Sequence, residues 1–502
     1  MHLFRLPLLC LALAGCAPIP YDAHRAELPD FARAQHASSI HLAQDGWPEA
    51  RWWTRYHDAQ LDALVERALR DNPTLAVASE RIAAAQAALA LEKSAGGASL
   101  DLDAGLNRQR YSGNGLFPEP IGGHFYNDAA LQLKAGYDFD WWGKQRALVA
   151  ASLGEVNARQ AERAQAERTL TAALAQSYFH WQLLSARAAA TRAMAALQRD
   201  IVAERRARIE RGLASIDEQH IAERDLGAFN EQALGLDAQA AREREALRAL
   251  VGETAPAGAG PALSAPDLSL DLKAQPVAAG IAGLPAQLGI TLLARRPDLQ
   301  AARWRVESTL GRVAASQAAF YPDINLSAAI GLDAVSLGRL LRSGSRTMLI
   351  GSTLQLPLFD SGRLSGQLGV ARAARNSAIA DYNAAVLRAV AEVAQEGATL
   401  QGLRQEADAH AGTRAASSAL VESSTRRMNQ GVGERGAVLL ARQSLLRQDD
   451  IGLQQQDALL QTEVALIKAL GGGYDADPLR GSAAAAAAVP STTDASPTTS
   501  FH

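Results

Sequence analysis

The residue best placed for unusual chemistry is Cys16, at the end of the run Leu13-Ala14-Gly15-Cys16. Arg5 and an apolar stretch from Leu6 to Leu13 precede it. A helix needs roughly 20 apolar residues to cross a bilayer, so this stretch reads as a secretory signal. Small residues before a cysteine at the end of such a segment form the bacterial lipobox, which implies cleavage before Cys16 and diacylation of its thiol. Ala17 stands where an aspartate commonly retains a lipoprotein in the inner membrane, so it favours the outer one. The covalent lipid on Cys16 is the only non-protein group expected. Cys10, the other cysteine of the two, leaves with the signal, so the mature chain is expected to lack disulfides and a thiol nucleophile.

No other grouping promises catalysis. The ten histidines are scattered, without HExxH or His/Cys ligand spacing, and no G-x-S-x-G or phosphate loop stands in a strand-helix setting. Neither a catalytic residue nor a metal site is therefore expected. Fifty basic residues against 53 acidic ones leave a net charge of −3, which gives no case for nucleic acid as a partner. Carboxylates along the helical windows described below read as solvated faces.

The elements behind these residues occur twice. Asn72-Pro73-Thr74-Leu75 matches Arg296-Pro297-Asp298-Leu299, and Leu131-Gln132-Leu133 through Phe139-Asp140 matches Leu354-Gln355-Leu356 through Phe359-Asp360. Arg208 to Leu213 matches Arg427 to Val432, and Leu250-Val251-Gly252 matches Ala469-Leu470-Gly471. An offset of about 220 residues is too long for a solenoid and points to duplication of a half-protein. No proline interrupts Ile121 to Ala255 or Leu358 to Asp477, and good helix formers fill both windows at helical apolar spacing. Each window has one reversal, at Gly212 and at Gly431 to Gly433. Each is thus expected to hold a helix of about 70 residues, a turn and a helix of about 40, the longer reaching ~100 Å.

Between these windows and the helices before them the period changes to two. Leu131, Leu133, Ala135, Tyr137 and Phe139 alternate with polar or small residues, as do Ile324, Leu326, Ala328, Ile330 and Leu332; Leu100 to Leu106 and Ile350 to Leu358 do so less cleanly. Strands of this kind can cross a membrane when tilted. Residues 111–124 and 333–346 connect the two pairs. Four strands cannot close a barrel, and lipid does not admit an open edge, so an oligomer is expected. A soluble four-stranded sheet beside a helical bundle is the plainer alternative.

At this point the chain resembles the TolC/NodT-type outer membrane efflux family, lipoprotein branch, from about Trp52 to Gly472. The resemblance rests on Trp52-Trp53, Leu61-Asp62-Ala63-Leu64-Val65, Asn72-Pro73, Gly283-Leu284-Pro285 and Leu292-Leu293-Ala294-Arg295-Arg296-Pro297-Asp298-Leu299. Two strand-to-helix junctions add to it, Asp140-Trp141-Trp142-Gly143-Lys144 and Pro357-Leu358-Phe359-Asp360-Ser361-Gly362-Arg363. It implies a mixed fold: a trimeric membrane β-barrel, four strands per chain, continuous with a long periplasmic α-helical barrel. It implies a passive outer-membrane channel of a tripartite efflux system that exports small molecules. The implied partners are a homotrimer, a periplasmic adaptor, an inner-membrane pump of RND type and outer-membrane lipid. A type I protein-secretion duct shares the architecture, and a structural coiled-coil envelope lipoprotein is the reading from another class.

The expected organisation is a signal peptide at 1–15 and a lipid-anchored segment with collar at 16–57. The first repeat is 58–252, with its strand pair at about 99–140 and helical hairpin at 143–250. A linker follows at 253–282. The second repeat is 283–472, with its strand pair at about 322–359 and hairpin at 363–470, and a low-complexity tail is expected at 473–502. The resemblance makes the two hairpin tips adaptor contacts: Arg208, Gly212, Leu213, Ala214 and Ser215 in the first, Arg427, Gly431 and Val432 in the second. Ordinary helix C-caps would use the same glycines. Glu434 and Arg435 depart from the small or apolar residues common after the second tip. Some members narrow their aperture with aspartates there; here the places hold Ala437 and Leu440, and the first copy has Asp217 and Glu218. A mixed constriction is expected, with Leu440 as apolar plug and Asp217 and Glu218 as a cation-attracting rim. Tyr137, Phe139, Trp141 and Trp142 are candidates for an aromatic belt at the membrane interface, or for packing at the strand-helix corner.

Overall fold

The computed structural model describes residues 19–22, 26, 47–252 and 295–474. Cys16, the linker at 253–282 and the tail from 475 lie outside the described residues. The elements run α1 (Ala59–Asp71), α2 (Pro73–Ala95), β1 (Ser99–Arg110), β2 (Phe125–Phe139), α3 (Lys144–Glu210), α4 (Ile216–Val251), α5 (Pro297–Ala318), β3 (Asp323–Ala334), β4 (Arg346–Gln355), α6 (Arg363–Asn429) and α7 (Arg435–Ala469). They divide between two units, each described here by itself.

The first unit holds Arg81–Arg159 and Ala302–Asn383. Its centre is an antiparallel sheet in the order β1-β2-β3-β4, so β2 and β3 join the two repeats. Register sorts the alternating residues by face. Leu102 stands opposite Leu133, Leu133 opposite Ile330, and Ile330 opposite Met348, giving one apolar row across all four strands. The next row is Leu100, Ala135, Ala328 and Ile350. The other face carries Asp101, Asp103, Gln132 and Lys134, with Lys134 Nζ 2.9 Å from Asp103. Leu100, Leu102, Ile330, Met348 and Ile350 are all exposed, a costly state for this much apolar surface in water. Among the described residues, β1 and β4 each leave one edge unpaired.

β4 differs from the expected span. It starts at Arg346 and stops at Gln355, because Pro357 cannot donate to a ladder. Both strand-to-helix junctions are closed by an aspartate. Asp140 accepts from the backbone N–H of Gln145 and Arg146 at 2.9 Å each, and Asp360 from that of Leu364 at 2.8 Å. These caps explain why an aspartate stands at the same place in each repeat: it satisfies donors that the first turn of a 67-residue helix leaves free.

The second unit holds the described residues from Trp47 to Glu80, from Gln160 to Ala301 and from Ala384 onward. Its core gathers Trp52, Trp53, Tyr56, Leu61, Leu64, Val65 and Ala68 against Leu174, Tyr178, Phe179, Leu247, Val464 and Ile467. Leu61, Leu64, Val65 and Ala68 follow the i, i+3, i+4, i+7 spacing of one helix face. Asp58 caps α1 through the N–H groups of Gln60 and Leu61, and it accepts the Tyr178 hydroxyl at 2.6 Å.

The duplicated proline motifs act as pins. Asn72 Oδ1 accepts from Thr74 N at 2.8 Å, with Pro73 at the first helical position. Its Nδ2 donates to the Leu250 carbonyl at 2.7 Å, closing the end of α4. In the second copy Arg296 takes the place of Asn72 and donates through Nη1 to the Ala469 carbonyl at 2.9 Å, closing the end of α7. Each short hairpin helix therefore ends on the residue that begins another helix. Arg296 also grips Asp298 with two contacts, 3.1 and 2.7 Å, and reaches Glu392 at 2.9 Å. Burial alone would raise the Asp298 carboxyl, but the hydrogen bonds and charge of Arg296 hold it below its ordinary value. Burial pushes the neighbouring Arg168 guanidinium down to about 10.

Candidate functional site

The two hairpin tips are built alike. At the first, Leu213 N donates to the Arg208 carbonyl at 2.9 Å and Gly212 N to that of Ile209 at 2.8 Å. At the second, Val432 N donates to the Arg427 carbonyl and Gly431 N to that of Met428, both at 3.0 Å. Each is a Schellman ending, with the glycine in the left-handed region at φ 69° and 74°. A side chain at either glycine would be strained there. This reversal leaves the following residue outward: Leu213 is 63% and Val432 74% exposed. Matched apolar side chains thus stand at the ends of two 67-residue helices.

After each tip the chain starts a new helix. Ser215 caps α4, its hydroxyl accepting from Glu218 N at 3.4 Å, with Asp217 and Glu218 in the first turn where the helix dipole favours carboxylates. Ala214 is partly buried in the turn. Glu434 caps α7 by backbone position, without a side-chain bond to its own helix. Instead its Oε2 lies 3.0 Å from Arg208 Nη1. The departure from the usual pattern at Glu434 therefore ties one tip to the other. Arg208 also lies 3.8 Å from Glu204, and Arg205 3.2 Å from Glu218.

That last contact bears on the residues expected at an aperture. Glu218 is both the third residue of α4 and the partner of Arg205, so its charge is locally balanced. Asp217 is exposed beside it. Leu440 is 49% exposed while its neighbour Leu439 packs with Leu197, Ile201 and Ala222.

Below the tips, α3 and α7 are joined by a polar seam that sequence reasoning missed. Gln198 accepts from Gln443 at 2.8 Å, Arg187 pairs with Asp450 at 2.9 Å and His180 with Asp457 at 2.6 Å. Gln176 and Gln461 exchange side-chain to backbone hydrogen bonds at 3.1 and 2.8 Å. Asp450 is buried, an exception to the solvated helical carboxylates that the sequence leads one to expect. The signal was present: 176, 180, 187, 198 and 208 fall on one side of a 3.6-residue helix. It lacked only the identity of the facing strand of residues.

Trp141 and Trp142 lie in the turn after β2. Tyr137 and Phe139 meet edge to face at 4.9 Å, and Trp141 sits tilted beside Phe139 at 6.2 Å; all three are exposed. Trp142 is exposed as well, but it is anchored. It stacks on Tyr321 at 4.6 Å and its Nε1 donates to the Pro322 carbonyl at 2.8 Å, locking the start of α3 to the start of β3. The cluster thus combines an exposed aromatic face with a corner lock.

The sequence model described as outer membrane efflux protein matches residues 64–253 and 289–472, the two repeats. The chain is 35% identical over 477 residues to the multidrug resistance outer membrane protein MdtQ of Escherichia coli, covering 93% of this chain and 97% of that protein. It is 36% identical over 494 residues to MdtP, a multidrug resistance outer membrane protein of the same species, covering 93% and 95%. Among solved structures, the outer membrane protein VceC of Vibrio cholerae superposes with a TM-score of 0.73 at 31% identity, covering 86% of this chain and 100% of that one.

Proposed function

The chain belongs to the outer membrane efflux protein family, and we propose that three copies form a passive outer-membrane duct of a tripartite efflux system. The four strands of each copy contribute to a twelve-stranded barrel, and the long helices carry the conduit into the periplasm. The observation that carries this reading is the sheet: among the described residues it has two unpaired edges and an exposed apolar face, on a chain with two 67-residue helices. The edges call for neighbours and the face calls for lipid.

The tips dock a periplasmic adaptor through Leu213 and Val432, and the adaptor links the duct to an inner-membrane pump of RND type. The pump supplies energy and most of the selectivity; the duct itself performs no catalysis. Multidrug resistance in the names of the relatives supports small molecules as cargo over secreted proteins. Cys16 carries a lipid that acts as a second anchor beside the barrel. The test is mobility of the purified chain on a detergent gel without boiling, together with single-channel recording. A heat-sensitive trimer that conducts ions supports the duct; a monomeric, non-conducting stalk would overturn it.

A further inference from the structure

The exposed apolar face of the sheet ends differently at its two ends. Toward the helices it ends in aromatic rings, Tyr137 and Phe139. Toward the β1–β2 and β3–β4 connections it ends in arginines. Arg108 and Arg110 occupy the same alternation as Leu100 and Leu102 at the far end of β1, with Arg108 over the Phe125 ring at 5.2 Å. Arg346 opens β4 opposite Leu332, in the row that holds Ala104 and Leu131. Arg339 and Arg342 stand exposed in the β3–β4 connection. The nearby aspartates are on the other face: Asp128 opposite Asn107 and Asp333 opposite Ala130. Among the described residues, no ion pair neutralises these arginines. A shallow groove on the apolar face, lined by Leu102, Leu133, Ile330, Leu332 and Met348, has Arg346 in its wall.

An apolar groove with guanidinium groups at one end has the shape and charge of a site for an anionic amphiphile. We propose that this face binds phosphorylated lipid of the outer leaflet, an acyl chain lying in the groove and the headgroup phosphates on Arg346, Arg339 and Arg342. Arginine suits phosphate because its fork donates two hydrogen bonds to one group, and anionic headgroups attract each such cation near the membrane surface. The inference rests on the barrel reading above, since only a lipid-facing sheet presents this surface to a leaflet.

The test uses the full-length chain, stripped of lipid in detergent and reconstituted into phosphatidylcholine vesicles with or without bis-phosphorylated lipid A. Retained lipid is counted by native mass spectrometry for the wild type, for the Arg339→Gln/Arg342→Gln/Arg346→Gln variant, and for the distant control Arg224→Gln. The wild type and control should retain lipid A in preference to phosphatidylcholine. The triple variant should lose that preference by about tenfold or more while still inserting. A dephosphorylated lipid A should bind the wild type as weakly as the intact lipid binds the variant. Equal retention by wild type and triple variant would overturn the proposal, as would undiminished binding of the dephosphorylated lipid. Failure of the wild type to insert into either vesicle would overturn the barrel reading itself, and this inference with it.

Discussion

Arg208 near the end of α3 and Glu434 at the start of α7 meet at 3.0 Å, joining the two hairpin tips across 226 residues of chain. The glutamate is 75% exposed and the arginine 30%, so solvent screens the pair and its worth is under ~1 kcal/mol. Its effect is geometric: it bridges the end of α3 to the start of α7. Arg208→Glu and Glu434→Arg should each speed chymotryptic cleavage at Leu213 by a few fold, and the combined exchange should restore most of the wild-type rate. Unequal, purely additive effects in this cycle would show that the contact does not couple the tips.

Docking should depend on the apolar pair and not on the glycines alone. Leu213→Asp with Val432→Asp places two desolvation-averse charges in the contact. Capture of the host's adaptor should fall by about tenfold or more, with the trimer intact on an unboiled gel. Retained capture would move the docking surface away from the tips.

The two pins should differ in strength because one is charged. Asn72→Ala leaves the Leu250 carbonyl short of a donor, a loss of about 1–3 kcal/mol. Arg296→Ala opens the Ala469 carbonyl and leaves the partly exposed Asp298 with Arg168, 3.8 Å away, as its remaining cation, so its loss should exceed that of Asn72→Ala. Thermal dissociation of the purified trimer, compared between the two variants, checks the order.

Acid should act on the same pin. The folded Asp298 carboxyl sits below its ordinary value, so its contribution is fully present above the unfolded value near 4 and is lost as pH falls through the lower folded one. Asp298→Asn should therefore be less stable at pH 6 and show a shallower loss between pH 4 and 2 than the wild type. Parallel acid curves would remove Asp298 from this role.

Among the residues expected at an aperture, the pairing of Glu218 with Arg205 separates it from Asp217. We expect Leu440→Ser to raise single-channel conductance and Asp217→Asn to lower cation preference. Glu218→Gln should instead lower stability at the α4 start, by about 0.5–1 kcal/mol, with little change in selectivity.

Much of this was legible in the chain itself, for identifiable reasons. The strands announce themselves because their two faces meet different surroundings, so Leu102, Leu133 and Ile330 alternate with polar or small residues; β4 is less legible because Leu349 follows Met348 on the opposite face. The hairpins are legible because only glycine suits φ 69° and 74° at residues 212 and 431. The α3–α7 seam was not, since pairing His180 with Asp457 or Arg187 with Asp450 depends on register between segments over 260 residues apart. Periodicity shows which face of a helix is polar; it does not show which helix answers it. Trp142 was half legible for the same reason, its partner Tyr321 standing in the other repeat.

The central claim is that the chain is the outer-membrane exit of an efflux system. The most direct measurement is accumulation of a fluorescent pump substrate in the native host with the chain deleted, then restored. Deletion should raise accumulation as far as loss of the partner pump does, wild type should reverse it, and the Leu213→Asp/Val432→Asp trimer should not. Unchanged accumulation on deletion, in a host with no second outer-membrane exit, would contradict the account.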